Sequence, residues 1–117
     1  MSMLDCKNTL DSFNIPHLDK AAIIGGGGKS PLWRQMVSDA LDLELVEMKH
    51  SDSSLGSAML AGVTMGVFES LEKAVEKCNE VVSVTKPVKE NTEKYKQVFK
   101  RYKAIQKALE PIYNGEF

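Results

Sequence analysis

Two cysteines in 117 residues are too few for a disulfide scaffold, and Cys6 and Cys78 do not have metal-ligand spacing. They read as small, reduced, buried thiols. No sign of charge prevails: fifteen basic residues face sixteen acidic ones, a formal net charge of −1. That balance excludes a global pull toward nucleic acid or anionic membrane, so an anionic ligand must be held locally. Long apolar runs are also absent. Ser51 to Phe68 is the longest nearly uncharged stretch, but it contains Asp52, serines and glycines and falls short of the roughly 20 apolar residues that cross a bilayer. Met1 to Phe13 mixes Asp5, Lys7 and Asp11 with apolar residues and lacks the core of an export signal, so a cytoplasmic protein is expected.

Hydrophobic residues make up 43% and charged residues 26%, the composition of one ordinary globular domain. Met3, Cys6, Leu10 and Phe13 recur at helical steps before an Asn14-Ile15-Pro16 break. Ala21 to Ile24 is a short apolar run, expected to be a buried strand ending in a glycine turn. Ser30 and Pro31 then announce a helix, Ser as cap and Pro at its first position. In that helix Leu32, Trp33, Met36, Val37, Ala40 and Leu41 share one face, read as core, with Trp33 packed inside. Arg34, Gln35, Ser38 and Asp39 are expected to point away.

Leu43 to Met48 reads as a second strand, set at a sheet edge because Glu44 and Glu47 interrupt it. Ser51, Asp52 and Ser53 offer caps for a helix to about Phe68, expected to be central, with Ala58, Gly62 and Gly66 forming a strip of small residues. Leu71 to Cys78 is a short helix and Val81 to Val88 is extended. From about Asn91 a stripe of Tyr95, Val98, Phe99, Tyr102, Ile105, Leu109 and Ile112 predicts a long closing helix. Its opposite face carries Lys94, Lys96, Lys100, Arg101, Lys103 and Lys107, read as solvated and not as a nucleic-acid surface. Strand is scarce for an α/β chain, which predicts that further sheet belongs upstream.

The chemistry concentrates in Ala21-Ala22-Ile23-Ile24-Gly25-Gly26-Gly27-Gly28-Lys29-Ser30. A phosphate-binding P-loop is disfavoured, because Ile23 stands where its first glycine belongs. A dinucleotide-binding fingerprint fits further: Gly25 and Gly27 match its first two glycines and Glu47 lies about twenty residues on, but Ser30 holds the third glycine position. A plain glycine turn, with Ser30 as helix cap and Lys29 solvated, is the third possibility.

A fourth reading extends past the glycines. Gly25 to Gln35 resembles the adenosine segment of FGGY-family carbohydrate kinases, closest in flavour to the xylulokinase and gluconokinase branches. Leu55 to Val63 is similar to that family's small-residue helix, and Phe68 to Ala74, Lys86-Pro87 and Tyr95 to Pro111 follow in order, so the resemblance covers about Leu18 to Tyr113. Gly28 stands where Ala or Ser is usual, Asp42 where Gly is common, and Ser57 replaces a usual Ala.

The resemblance implies an α/β chain that is part of an actin-like ATPase (ribonuclease H-like) domain, with two or three strands, packed helices and a long C-terminal helix. Residues 1–117 would be the C-terminal part of the second, nucleotide-side domain, with the catalytic first domain absent. It implies ATP or ADP as ligand, touched by Gly25, Gly26, Gly27, Gly28, Lys29, Ser30 and Gln35. Gly26 and Ser30 match positions that contact nucleotide in related glycerol kinases. Mg2+ would be held outside this segment, and no catalytic residue is assigned, since Asp5, Asp11, Asp19 and Asp52 match no family motif. His17 and His50 read as loop residues. The expected partners are adenine nucleotide, the remaining N-terminal kinase portion and a second copy. The alternative is a non-catalytic binding or assembly module using an exposed sheet edge.

Overall fold

The computed structural model describes residues 1–13, 18–50 and 52–115; the Asn14-Ile15-Pro16 break, His17 and Ser51 lie outside them. Helix α1 (Ser2–Asp11) leads to β1 (Lys20–Ile23), a 3-10 turn (Gly26–Lys29), α2 (Pro31–Leu41) and β2 (Glu44–Met48). Helices α3 (Ser53–Thr64) and α4 (Leu71–Cys78), strand β3 (Val81–Thr85) and α5 (Lys89–Tyr113) complete the chain. The sheet has three strands in the order β1-β2-β3.

β1 and β2 run parallel from Lys20 opposite Glu44 to Ile23 opposite Glu47, joined through α2. β3 returns antiparallel, Val46 facing Val84, with a bulge at Glu47/Met48. β2 is therefore the central strand and not an edge. Its neighbours Leu45 and Val46 point to opposite faces, yet are only 2% and 6% exposed, as a strand covered on both sides requires. The two glutamates that argued for an edge are accommodated by partners: Lys20 Nζ lies 2.9 Å from Glu44, and Arg34 lies 3.1 Å from Glu47.

The expected orientation of α2 is met only in part: Val37 is buried and Ala40 and Leu41 are half-buried, but the rest of the apolar face is not core. Arg34, Val37, Ser38 and Asp39 are its buried residues, whereas Leu32, Trp33 and Met36 are exposed. The polar side chains are buried because each meets groups that need a partner. The Ser38 hydroxyl donates to the Leu43 carbonyl at 2.7 Å. Asp39 accepts from Gln35 Nε2 at 2.7 Å, from the Val88 N–H at 2.7 Å and from Asn91 Nδ2 at 2.8 Å. Val88 is the N-cap residue of α5 and supplies no side-chain cap, so a carboxylate from α2 closes that helix's first turn.

α3 packs with α4 and has Met59 as its buried residue, so within this chain it is peripheral. It stops at Thr64 because Gly66, at φ 73°, turns left-handed while the Val67 N–H returns to the Gly62 carbonyl at 2.8 Å. Gly66 thus ends the helix and does not extend the small-residue strip. Gly62 does serve close approach, since a Cβ there would meet the Phe68 ring at 2.7 Å. Asp52 holds the N-cap position of α3, but its side chain makes no capping hydrogen bond.

Along α5, Phe99 and Tyr102 stack at 6.0 Å, whereas Val98, Ile105 and Ile112 of the predicted stripe are exposed. On its charged face Lys94 and Lys96 pair with Glu90 and Glu93, and Lys103 reaches Asp5 of α1 at 3.1 Å. Cys6 is exposed, contrary to expectation, and Cys78 is half-buried. Among the described residues no helix is long and apolar enough to cross a membrane.

Candidate functional site

The glycine turn sits where the chain leaves the carboxyl end of β1. Gly25 has φ 83° and ψ 178°, a region open essentially to glycine alone. The turn closes on two bonds, Gly28 N–H to the Gly25 carbonyl and Ser30 N–H to the Gly27 carbonyl, both 3.1 Å. Ser30 is then extended and its hydroxyl accepts the Trp33 N–H at 3.4 Å, with Pro31 as first residue of α2. The predicted cap is present, and it aims the positive end of α2 at the turn.

The four glycines do different things. Gly28 is buried, and a Cβ there would touch Ile23 at 3.4 Å. A Cβ on Gly27 would press on the Trp33 indole at 3.1 Å. Gly26 faces open space and its backbone is not left-handed, so none of the described residues demands glycine there. Trp33, expected in the core, is 44% exposed and forms a wall of the turn.

A cleft of about 310 Å³ opens at the carboxyl ends of β1 and β2, lined among others by Gly25, Gly28, Lys29, Glu47 and Lys49. Ligands of open α/β sheets bind in such a crevice. Lys29 is exposed at its rim, whereas Lys49 is engaged by Glu80 at 2.7 Å. The Glu47 carboxylate accepts from Ser83 Oγ at 2.7 Å as well as pairing with Arg34. The structure brings Gly25 to Ser30 together. Gln35 lies apart, its amide nitrogen donating to Asp39 and, at 3.0 Å, to the Lys86 carbonyl.

Arg34 is the residue that pattern reasoning missed. It is 8% exposed, and Nη1 donates to the Gly28 carbonyl at 2.6 Å. Its only sequence signal was a complementary charge on the next strand, Glu47, which a helical wheel does not weigh. Among the described residues no three His, Cys, Asp or Glu side chains gather as metal ligands.

The architecture matches solved kinases. It superposes on the ligand-bound xylulose kinase from Lactobacillus acidophilus with a TM-score of 0.82 at 21% identity, over 97% of this chain and 24% of that one. The expected class is thereby met: an α/β piece of an actin-like sugar-kinase fold, with three strands and a long C-terminal helix. The model of the C-terminal domain of the FGGY family of carbohydrate kinases matches residues 2–65, and the chain belongs to that family. It is 38% identical over 90 residues to a xylulose kinase of Staphylococcus epidermidis, covering 76% of this chain and 18% of the relative. Against the xylulose kinase of Bacillus subtilis the identity is 36% over 83 residues, covering 70% and 17%. The chain thus spans less than a fifth of the length of these curated relatives.

Proposed function

We propose that residues 1–117 are the adenosine-binding, C-terminal part of the nucleotide-side domain of an ATP-dependent sugar kinase of the xylulokinase kind. Together with the rest of such an enzyme it serves phosphoryl transfer from ATP to a sugar hydroxyl. One observation carries this reading: an exposed glycine turn at the carboxyl ends of two parallel strands leads directly into a Ser-capped helix. The open surface over Gly26 leaves room for a ribose or purine on bare backbone. The N-terminal end of α2 and Lys29 favour the adjoining phosphates.

Transfer also needs a carboxylate to take the hydroxyl proton and a metal on the phosphates. Glu47, the acid that lines the cleft, is engaged by Arg34 and Ser83. No catalytic step is therefore assigned to this chain, and Mg2+ would be held elsewhere in the enzyme. The chain alone is expected to phosphorylate no sugar.

Titration of the chain with ATP and with NAD, followed by NMR, tests the reading. ATP should shift Gly25 to Ser30 with a Kd near a millimolar, about −4 kcal/mol, because half of the closing walls are absent. Gly26→Val should abolish those shifts by occupying the open space. NAD-selective shifts lost in Glu47→Ala would instead support the dinucleotide fingerprint.

A further inference from the structure

We infer that Arg34 is a positioning residue for the nucleotide turn, holding the Gly28 carbonyl to the central strand so that the exposed glycines keep one orientation; this rests on the adenosine reading above. Arg34 Nη1 donates to the Gly28 carbonyl at 2.6 Å and forms an ion pair with Glu47, 3.1 Å from its Oε2. Glu47 is itself held by the Ser83 hydroxyl at 2.7 Å, so the turn is tied through one buried cation to β2 and on to β3. Charge-assisted bonds of this kind are stronger and more directional than neutral ones.

The consequence for the turn follows from peptide geometry. Because the peptide unit is planar, fixing the Gly28 carbonyl also fixes the direction of the Lys29 N–H. Gly28 has no side chain to anchor, and glycine runs otherwise sample many conformations. The guanidinium therefore supplies an order that the turn's own residues cannot. Arg34 Nε is buried with no hydrogen-bond partner among the described residues. An arginine buried with one N–H unpartnered costs stability relative to an apolar side chain of similar volume. Its placement against the turn, at that cost, agrees with service to the turn more than with packing.

The test compares wild type, Arg34→Met and Arg34→Lys as the full 117-residue chain, with two readouts. Amide hydrogen exchange is followed at Gly25 to Ser30 and, as a control, at Leu45 and Val46, and ATP affinity is measured by titration. Arg34→Met should speed exchange in the turn about tenfold or more, the size of losing one charge-assisted bond, and weaken ATP by a similar factor. The strand amides, whose neighbour Glu47 loses its cation, should quicken several-fold less than the turn amides, which a uniform loss of stability would not allow. Arg34→Lys, a cation without the planar fork, should give an intermediate result, and it decides the matter if Arg34→Met does not fold. Unchanged turn exchange in the folded variants overturns the inference. Faster turn exchange in a chain whose wild type binds no ATP upholds the anchoring of the turn and refutes the adenosine reading alone.

Discussion

The Trp33 indole lies so close to Gly27 that a Cβ on this glycine would stand 3.1 Å from both Cδ1 and Nε1. Gly27→Ala must displace the ring, and because Trp33 is the single tryptophan, emission reads that displacement directly. Gly26→Ala, with open space above it, should leave emission unchanged. Gly25→Ala should cost about 1–3 kcal/mol through backbone strain at φ 83°, measured by urea unfolding. Equal effects at Gly25, Gly26 and Gly27 would contradict this division of roles.

Asp39 ties three segments together, and its removal should loosen one of them selectively. Asp39→Ala strands the donors of Gln35, Val88 and Asn91, and should lower stability by about 3 kcal/mol. Hydrogen exchange should rise first at Val88 to Thr92, where α5 loses its borrowed cap. A variant with wild-type protection at those amides would show that α5 starts without Asp39.

Asp42 ends α2 in the left-handed region, φ 51° and ψ 48°. This is the position at which the family resemblance led one to expect glycine, and a Cβ is disfavoured there. Asp42→Gly should raise the unfolding free energy by about 0.5 kcal/mol, the relief of strain exceeding the added chain entropy. A loss of stability would mean that the Asp side chain makes compensating interactions.

Glu44 titrates below the usual glutamate range, chiefly because the Lys20 ammonium hydrogen-bonds its carboxylate, with Lys86 adding attraction at 4.0 Å. A depressed folded pKa means that the pair stabilises the fold fully above the unfolded value and loses that contribution as pH falls through the folded one. NMR titration should find Glu44 protonating at lower pH than an unpaired glutamate. Lys20→Met should raise its pKa toward the ordinary range and remove that part of the acid sensitivity.

β1 and β3 form the two edges of the three-stranded sheet, and Val81, Val82 and Val84 of β3 are 46–58% exposed. Unpaired edges with apolar side chains favour strand addition between copies. The chain should therefore self-associate, with light scattering reporting a mass above that of the 13.0 kDa monomer, and Val84→Lys should reduce association. A monomer at high concentration would refute it.

Local chemistry carried much of this protein in its sequence. The glycine run predicts the turn, Ser30-Pro31 predicts the start of α2, and the spacing from Tyr95 to Ile112 predicts the long α5, because these depend on backbone freedom, capping and periodicity within a few residues. Tertiary structure decided the rest. Periodicity marks which residues share a face but not which face meets the sheet, so the apolar side of α2 reads as core, while Arg34, Ser38 and Asp39 are buried beside Val37 and Leu32, Trp33 and Met36 are exposed. Strand order was hidden for a similar reason: glutamates at Glu44 and Glu47 suggest an edge until Lys20 and Arg34, distant in sequence, neutralise them in a central strand. The anchor of the glycine turn exists only once α2 folds back along β2, because a hydrogen bond between Arg34 and the Gly28 carbonyl is a property of packing and not of pattern.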